Sequence, residues 1–377
     1  MKDRSTQRRM LVSLLLLGAG LAAGIVMWGC SKKAPTAPSQ SAVGYMATPQ
    51  VDLNALRAVI AVQDRHNRAL MAVPGVVAVG TGVDETGRAV IHVYTESKLA
   101  PGRLPTDVEG VAVVERVSGK IVAMKGHGGG GTSHTARQTP PIQLGTSGGN
   151  ATDLANGYCC SGTLGALVAK GGTQYILSNS HVFAGDVVSG GNGRVAQIGD
   201  DVNQPGLVDI NCNAANSQIV ADVSTLSTTY PPNSTPNVDC SIAQVRSGMV
   251  RTDGAILEVG TISASTVGAS VGQAVKKSGR TTGLTRSTIS SINVTVSVGY
   301  TDECGGTSYT KTYTGQIFVS NTSSRFLNSG DSGSLMVEDV STNPRAVGLL
   351  FAGSSSIAVA NPIGDDLSHL GATMVGN

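Results

Sequence analysis

Charge is what this sequence has least of. Only 14% of its 377 residues are Asp, Glu, Lys or Arg, and they leave a net charge of +2. No basic run follows the N-terminal leader, so nothing asks for nucleic acid or for an acidic partner. There is no internal repeat, no cofactor motif, and no cluster of side chains with metal-ligand spacing. Strong helix formers are sparse, whereas glycine is not: 49 glycines, with many Ser and Thr, are turn chemistry and favour a β-rich fold. Cysteine is scarce and its count is awkward. Apart from Cys30 there are Cys159, Cys160, Cys212, Cys240 and Cys304. In an oxidising compartment an odd set leaves at most two internal bridges and one spare thiol. The length is enough for two or three domains with a sizeable core.

The first 30 residues read as an export signal. Lys2, Arg4, Arg8 and Arg9 precede an uncharged run from Met10 to Gly29. An uncleaved membrane anchor is the competing reading, but Gly18, Ala19, Gly20, Ala22, Ala23 and Gly24 dilute the run. The run ends at Trp28-Gly29-Cys30 and a Pro/Ser/Ala-rich stretch follows. This resembles a bacterial lipoprotein signal, in which the Cys is lipidated and the next residues, here 31–47, form a flexible tether. Met27 and Trp28 depart from that pattern. The resemblance implies an exported protein held by a lipid on Cys30 at the outer side of the cytoplasmic membrane or in the outer membrane. Without the lipid it would be secreted.

Residues 48–124 read as a small α/β unit. Leu53, Leu56, Ile60 and Leu70 recur at near-helical spacing, and Pro74-Gly75 stops the helix. Val76–Val83 and Ala89–Tyr94 predict a hairpin over Asp84-Glu85-Thr86-Gly87, with further strands at 108–117 and 121–124. His92 falls in an alternating run and reads as a packed strand residue rather than a ligand. Residues 125–137 hold a run of glycines flanked by His127 and His134, which by composition is a solvated linker open to proteolysis.

From residue 138 to 377 the pattern is short strands and turns. The strand Gln174–Ser178 runs into Asn179-Ser180-His181, so His181 sits at a strand end where a side chain can reach a cleft. Asp239 lies at the start of an apolar run, where a carboxylate is costly unless paired, and a histidine N–H would suit it. Asp209 and Asp222 compete for that part. Near the C-terminus, Asn328-Ser329-Gly330-Asp331-Ser332-Gly333-Ser334 places a hydroxyl nucleophile among small residues. Its glycines permit a tight turn and leave the amides of Gly330 and Ser332 free to face one point, as an oxyanion hole requires.

The order His181, Asp239, Ser332 resembles the chymotrypsin/trypsin-like serine peptidases. The stretches 177–182, Ser278-Gly279-Arg280-Thr281-Thr282-Gly283 and 330–333, with the strand at 347–353, are similar to its exported bacterial branch. Ser334 in place of a second glycine and Val182 after the histidine are departures. The resemblance implies two six-stranded antiparallel β-barrels behind an N-terminal domain that aids folding or inhibits. It implies that Ser332 attacks a scissile carbonyl, that His181 moves the proton, that Asp239 orients His181, and that the Gly330 and Ser332 amides bind the oxyanion. It further implies that Arg280 pairs with Asp331 beneath the site. Protein or peptide substrates follow, with no cofactor. A catalytically silent binding or adhesion module on the same fold, or an esterase on the same triad, are the alternatives.

Overall fold

The structure, a computed structural model, describes residues 52–124, 132–155, 158–184, 196–225, 237–300, 308–321 and 325–377. The leader, Cys30, the 31–47 tether, the glycine run with His127, and Cys304 lie outside the described residues.

Helix α1 (Leu53–Met71) opens at Asp52, whose carboxylate accepts from the Asn54 and Ala55 amides. Its buried face carries Leu56, Val59, Val62 and Leu70, the spacing of one helical stripe. That face packs on β1 (Val76–Val83) and β2 (Ala89–Thr95), against Val79, Ile91 and Val93. The two strands form the expected hairpin. Strand β3 (Val111–Val117) then runs parallel to β2, and the two-residue β4 (Val122–Ala123) leaves the hairpin to pair elsewhere in the same sheet.

The next part of the chain closes a first ring. Its strands are β5 (Thr146–Asn150), β6 (Gly162–Leu164), β7 (Ala166–Lys170), β8 (Thr173–Ser178), β9 (Asp201–Gln204), β10 (Gln218–Val223) and β11 (Ser241–Val245). β6 and β7 are one strand bent at Gly165. The first half pairs with β5 and the second with β8. From β8 the ring continues through β11, β10 and β9 back to β5, every neighbour antiparallel. Gly165 has no substitute at the bend, since a Cβ there would lie 2.0 Å from the Gly333 carbonyl oxygen.

A second ring follows. It comprises β12 (Ala274–Gly279), β13 (Gly283–Tyr300), β14 (Tyr309–Ser320), β15 (Leu335–Glu338), β16 (Ala346–Gly353) and β17 (Ile357–Pro362). The pairings run β12–β15–β16–β17–β14–β13 and back to β12. Two closed antiparallel rings of six strands make this a chymotrypsin-like fold behind an N-terminal α/β segment. Helix α4 (Ile363–Leu370), which follows two four-residue helices α2 (Thr132–Thr135) and α3 (Ser180–Phe183), leads the chain back to the first ring.

The N-terminal segment is not a separate body. β13 pairs with β12 through its first third, and then its free edge is taken by β1, with Ala78 opposite Val296 and Gly82 opposite Ser291. Val77, Ala78 and Tyr94 share one apolar cluster with Val294, Val296, Tyr313 and Phe318. Buried Gln63 reaches across to the Asn293 carbonyl at 2.8 Å and accepts from the Thr81 hydroxyl. Leaving such a strand edge and such aromatics in water would be costly.

Candidate active site

His181 lies in α3, directly after β8. Asn179 caps that turn, and its side-chain amide donates to the Asp239 carbonyl at 2.7 Å. Asp239 precedes β11, the partner of β8, so strand pairing brings the two residues together. His181 Nδ1 is 2.6 Å from Asp239 Oδ2, and the His181 amide donates to Oδ1 at 3.2 Å. A third donor comes from the second ring: the Tyr300 hydroxyl reaches Oδ2 at 2.9 Å. Tyr300 in turn meets the Tyr313 hydroxyl at 2.6 Å. Burial alone would push the Asp239 carboxyl up, but the imidazole and these hydrogen bonds hold it below the usual range. Asp209 and Asp222 are not beside His181. Asp222 belongs to a surface pair with Arg246, and Asp209 has the role described below.

Ser332 is fully buried in the turn between β14 and β15. The turn is anchored to the first ring through Thr163, whose amide donates to the Ser332 carbonyl and whose hydroxyl donates to that of Gly330. Gly330 has φ +95°, and a Cβ on it would sit 2.5 Å from Arg280 Nη1. Only glycine satisfies both conditions. The Ser332 hydroxyl donates to the Phe351 carbonyl at 3.1 Å, while His181 Nε2 is buried with no hydrogen-bond partner.

The expected Arg280–Asp331 pair does not form. Asp331 is matched instead by Lys277, with Nζ 3.3 Å from Oδ2 and both side chains fully buried. The same carboxylate accepts from the amides of Thr281, Thr282 and Asn328 and from the Thr282 hydroxyl. Arg280 turns the other way and makes a fork with Asp209, Nε to Oδ2 at 2.8 Å and Nη2 to Oδ1 at 2.6 Å. The reason is positional. Lys277 lies within β12 and points into the second ring, whereas Arg280 sits past the strand end and faces the first ring. Burial lowers the Lys277 ammonium from its ordinary value, and Asp331 only partly restores it.

The linker expectation also changes at its C-terminal end. His134 is buried, with Nε2 3.0 Å from both the Ser278 hydroxyl and the Glu258 carboxylate. The cysteines resolve in part. Cys159 bridges Cys212, and Cys240 is a buried free thiol.

Met124 is the residue that sequence reasoning missed. Its carbonyl accepts from the Gly330 amide at 2.6 Å, and its own amide donates to the Phe351 carbonyl at 3.1 Å. β4 just before it pairs antiparallel with β16, Ala123 opposite Ala352 and Val122 opposite Gly353. A stretch of the chain's own backbone thus lies along the turn that carries Ser332. The only trace of this in the sequence was an apolar strand ending at Met124.

Among known proteins, the family model described as the Nal1 C-terminal domain matches residues 236–360. No curated protein matches the chain. Solved structures similar to it include protease A of Thermobifida fusca, at 21% identity and TM-score 0.41, covering 63% of this chain and 99% of the other. A glutamic acid-specific serine protease is similar at 21% identity and TM-score 0.39, covering 62% and 100%. Cellulomonas bogoriensis chymotrypsin is similar at 18% identity and TM-score 0.36, covering 63% and 99%. The architecture rests on the strand pairings already described.

Proposed function

We propose that this chain is a serine endopeptidase. One observation carries the reading: a peptide carbonyl, that of Met124, is hydrogen-bonded to the Gly330 amide in the turn that bears Ser332. An amide aimed at a carbonyl within the turn of a buried Ser, in a fold that also holds a His–Asp pair, is what acyl transfer requires. Ser332 Oγ, once turned from the Phe351 carbonyl, attacks. His181 Nε2 takes its proton and returns it to the leaving amine. Asp239 stabilises the imidazolium, and the Gly330 and Ser332 amides hold the oxyanion.

The direct test is labelling by a fluorophosphonate. Wild type should label, and Ser332→Ala should not. Hydrolysis of a peptide amide as well as the matching ester separates a peptidase from an esterase. Absence of both labelling and hydrolysis would leave the silent binding module.

We place the enzyme outside the cytoplasm, held by a lipid on Cys30. The support is the basic leader, the apolar run and the small residue before that cysteine. Radiolabelled palmitate should enter wild type and not Cys30→Ala.

A further inference from the structure

We infer that Met124 occupies the position of the residue whose carbonyl is attacked, and that the pocket around its side chain selects peptides with a long, unbranched apolar residue there. This rests on the peptidase reading and names its substrate class.

The backbone sets the register. The Met124 carbonyl is on the Gly330 amide, the Met124 amide is on the Phe351 carbonyl, and residues 122–123 pair with 352–353. A substrate bound this way presents one side chain to the pocket beside Ser332, and in this chain that side chain is Met124.

The pocket fits it. Met124 is only 7% exposed and packs among Phe326, Leu327 and Leu350. A Cβ added to Gly353 would come within 3.1 Å of both Met124 Cε and Leu327 Cδ2, so the missing side chain at 353 is what leaves room for a straight chain. Met124 Sδ lies 3.9 Å from the Ser329 hydroxyl. Met124 also helps line an open cavity whose charged residues, among the described ones, are Lys120 and Arg325, both basic. Among the described residues that line it there is no carboxylate for a Lys or Arg of a substrate. A charged side chain buried without a partner is strongly disfavoured. A β-branched side chain carries its bulk at Cβ, where the straight chain of Met124 carries none.

The reaction on this residue balances without a co-reactant other than water. A bond forms from Ser332 Oγ to the Met124 carbonyl carbon, and the amide bond after Met124 breaks. His181 passes the serine proton to the departing amine. Water then adds its hydroxyl to the acyl carbon, the bond from that carbon to Ser332 Oγ breaks, and His181 passes the water proton to Oγ, leaving a carboxylate on Met124. The cut falls ahead of the glycine run, not inside it.

The test uses the full chain at neutral pH, its fragments read by N-terminal sequencing and mass. Wild type should be cut after Met124, and Ser332→Ala should stay whole. Met124→Leu should be cut within about threefold of wild type, Met124→Val about tenfold more slowly, and Met124→Lys more slowly by about 100-fold. Peptide amides Ile-Val-Ala-X offered to the same enzyme should rank X in the same order. A chain that stays whole yet hydrolyses the methionine peptide fastest supports the pocket and overturns self-cleavage. An enzyme that labels with fluorophosphonate but prefers Lys or Glu overturns the pocket assignment alone. One that neither labels nor cuts any peptide overturns the peptidase reading with it.

Discussion

The two rings have the same number of strands and do different things with them. The first is built of short strands of three to six residues and is stapled by Cys159–Cys212. It supplies His181 and Asp239. The second contains an 18-residue and a 12-residue strand, longer than its own closure uses. The surplus of β13 and β14 stands beyond the ring, and it is there that β1 adds its edge and β4 comes to rest. The second ring supplies Ser332 and receives the N-terminal segment. Strand length beyond what closes a barrel is therefore a docking edge. The His181–Asp239 pair belongs to the ring that has none.

Breaking the division of labour should have the largest effect. Ser332→Ala and His181→Ala should each cost about 10⁶ in kcat and Asp239→Ala about 10⁴, with the double variant no worse than the worst single one. Steady-state kinetics on a peptide amide checks this. Equal losses on removing Asp222 would contradict the geometry.

The ion pairs under the nucleophile turn sharpen the comparison next. Lys277–Asp331 is internal to the second ring, and Arg280–Asp209 ties it to the first. Removing one partner of a buried pair strands the other charge, at about 3–5 kcal/mol. Lys277→Ala and Arg280→Ala should both lower stability by that order in denaturant titrations. Arg280→Lys should recover only part, because the fork to Asp209 is lost.

The docking edge has a pH dependence of its own. His92 on β2 is buried, its Nδ1 2.9 Å from the Ser291 hydroxyl on β13. Burial, with Arg116 nearby, lowers its folded value to about 4. The folded state then binds fewer protons than the unfolded state between the ordinary histidine value and about 4. Stability is intact above that window and lost as pH falls through it, by roughly 3 kcal/mol in all. Hydrogen exchange of β1 and β2 should rise over that range, and His92→Gln should flatten the response.

The smallest effect concerns the Tyr300 hydroxyl, through which the second ring reaches the Asp239 carboxylate of the first. Tyr300→Phe should cost about 1.5–3 kcal/mol in stability, the range for a hydrogen bond to a charged group. Asp239 is held below its ordinary value, so its contribution is present above the usual carboxylate range and lost as pH falls through the folded value. Without the tyrosine hydroxyl the folded value rises, so that loss should be smaller and complete at a higher pH, which an acid titration of the variant would read.

Much of this was legible in the chain. His181, Asp239 and the Ser332 turn stand in local patterns: a strand end, a carboxylate heading an apolar run, a serine among glycines. The β-rich class follows from glycine, Ser and Thr at turn spacing, and α1 from one apolar stripe with a stop at Pro74-Gly75. Periodicity is a local property and survives without a partner. Other features depend on which distant groups meet. Lys277 and Arg280 are three residues apart, and nothing in that spacing says which one reaches Asp331. A strand end and the turn beyond it face different rings, and only closure of the barrel assigns them. Asp209 was a candidate for the acid beside His181 until the Arg280 fork claimed it. Tyr300 reaches Asp239 from the other ring. Met124 meets Gly330 only because β13 overshoots its ring and carries the N-terminal sheet across the cleft. Sequence alone singled out His181, Asp239 and Ser332 as candidates. The tertiary structure decided which cation neutralises which acid and what lies in the cleft, because both are contacts between segments that the chain order keeps far apart.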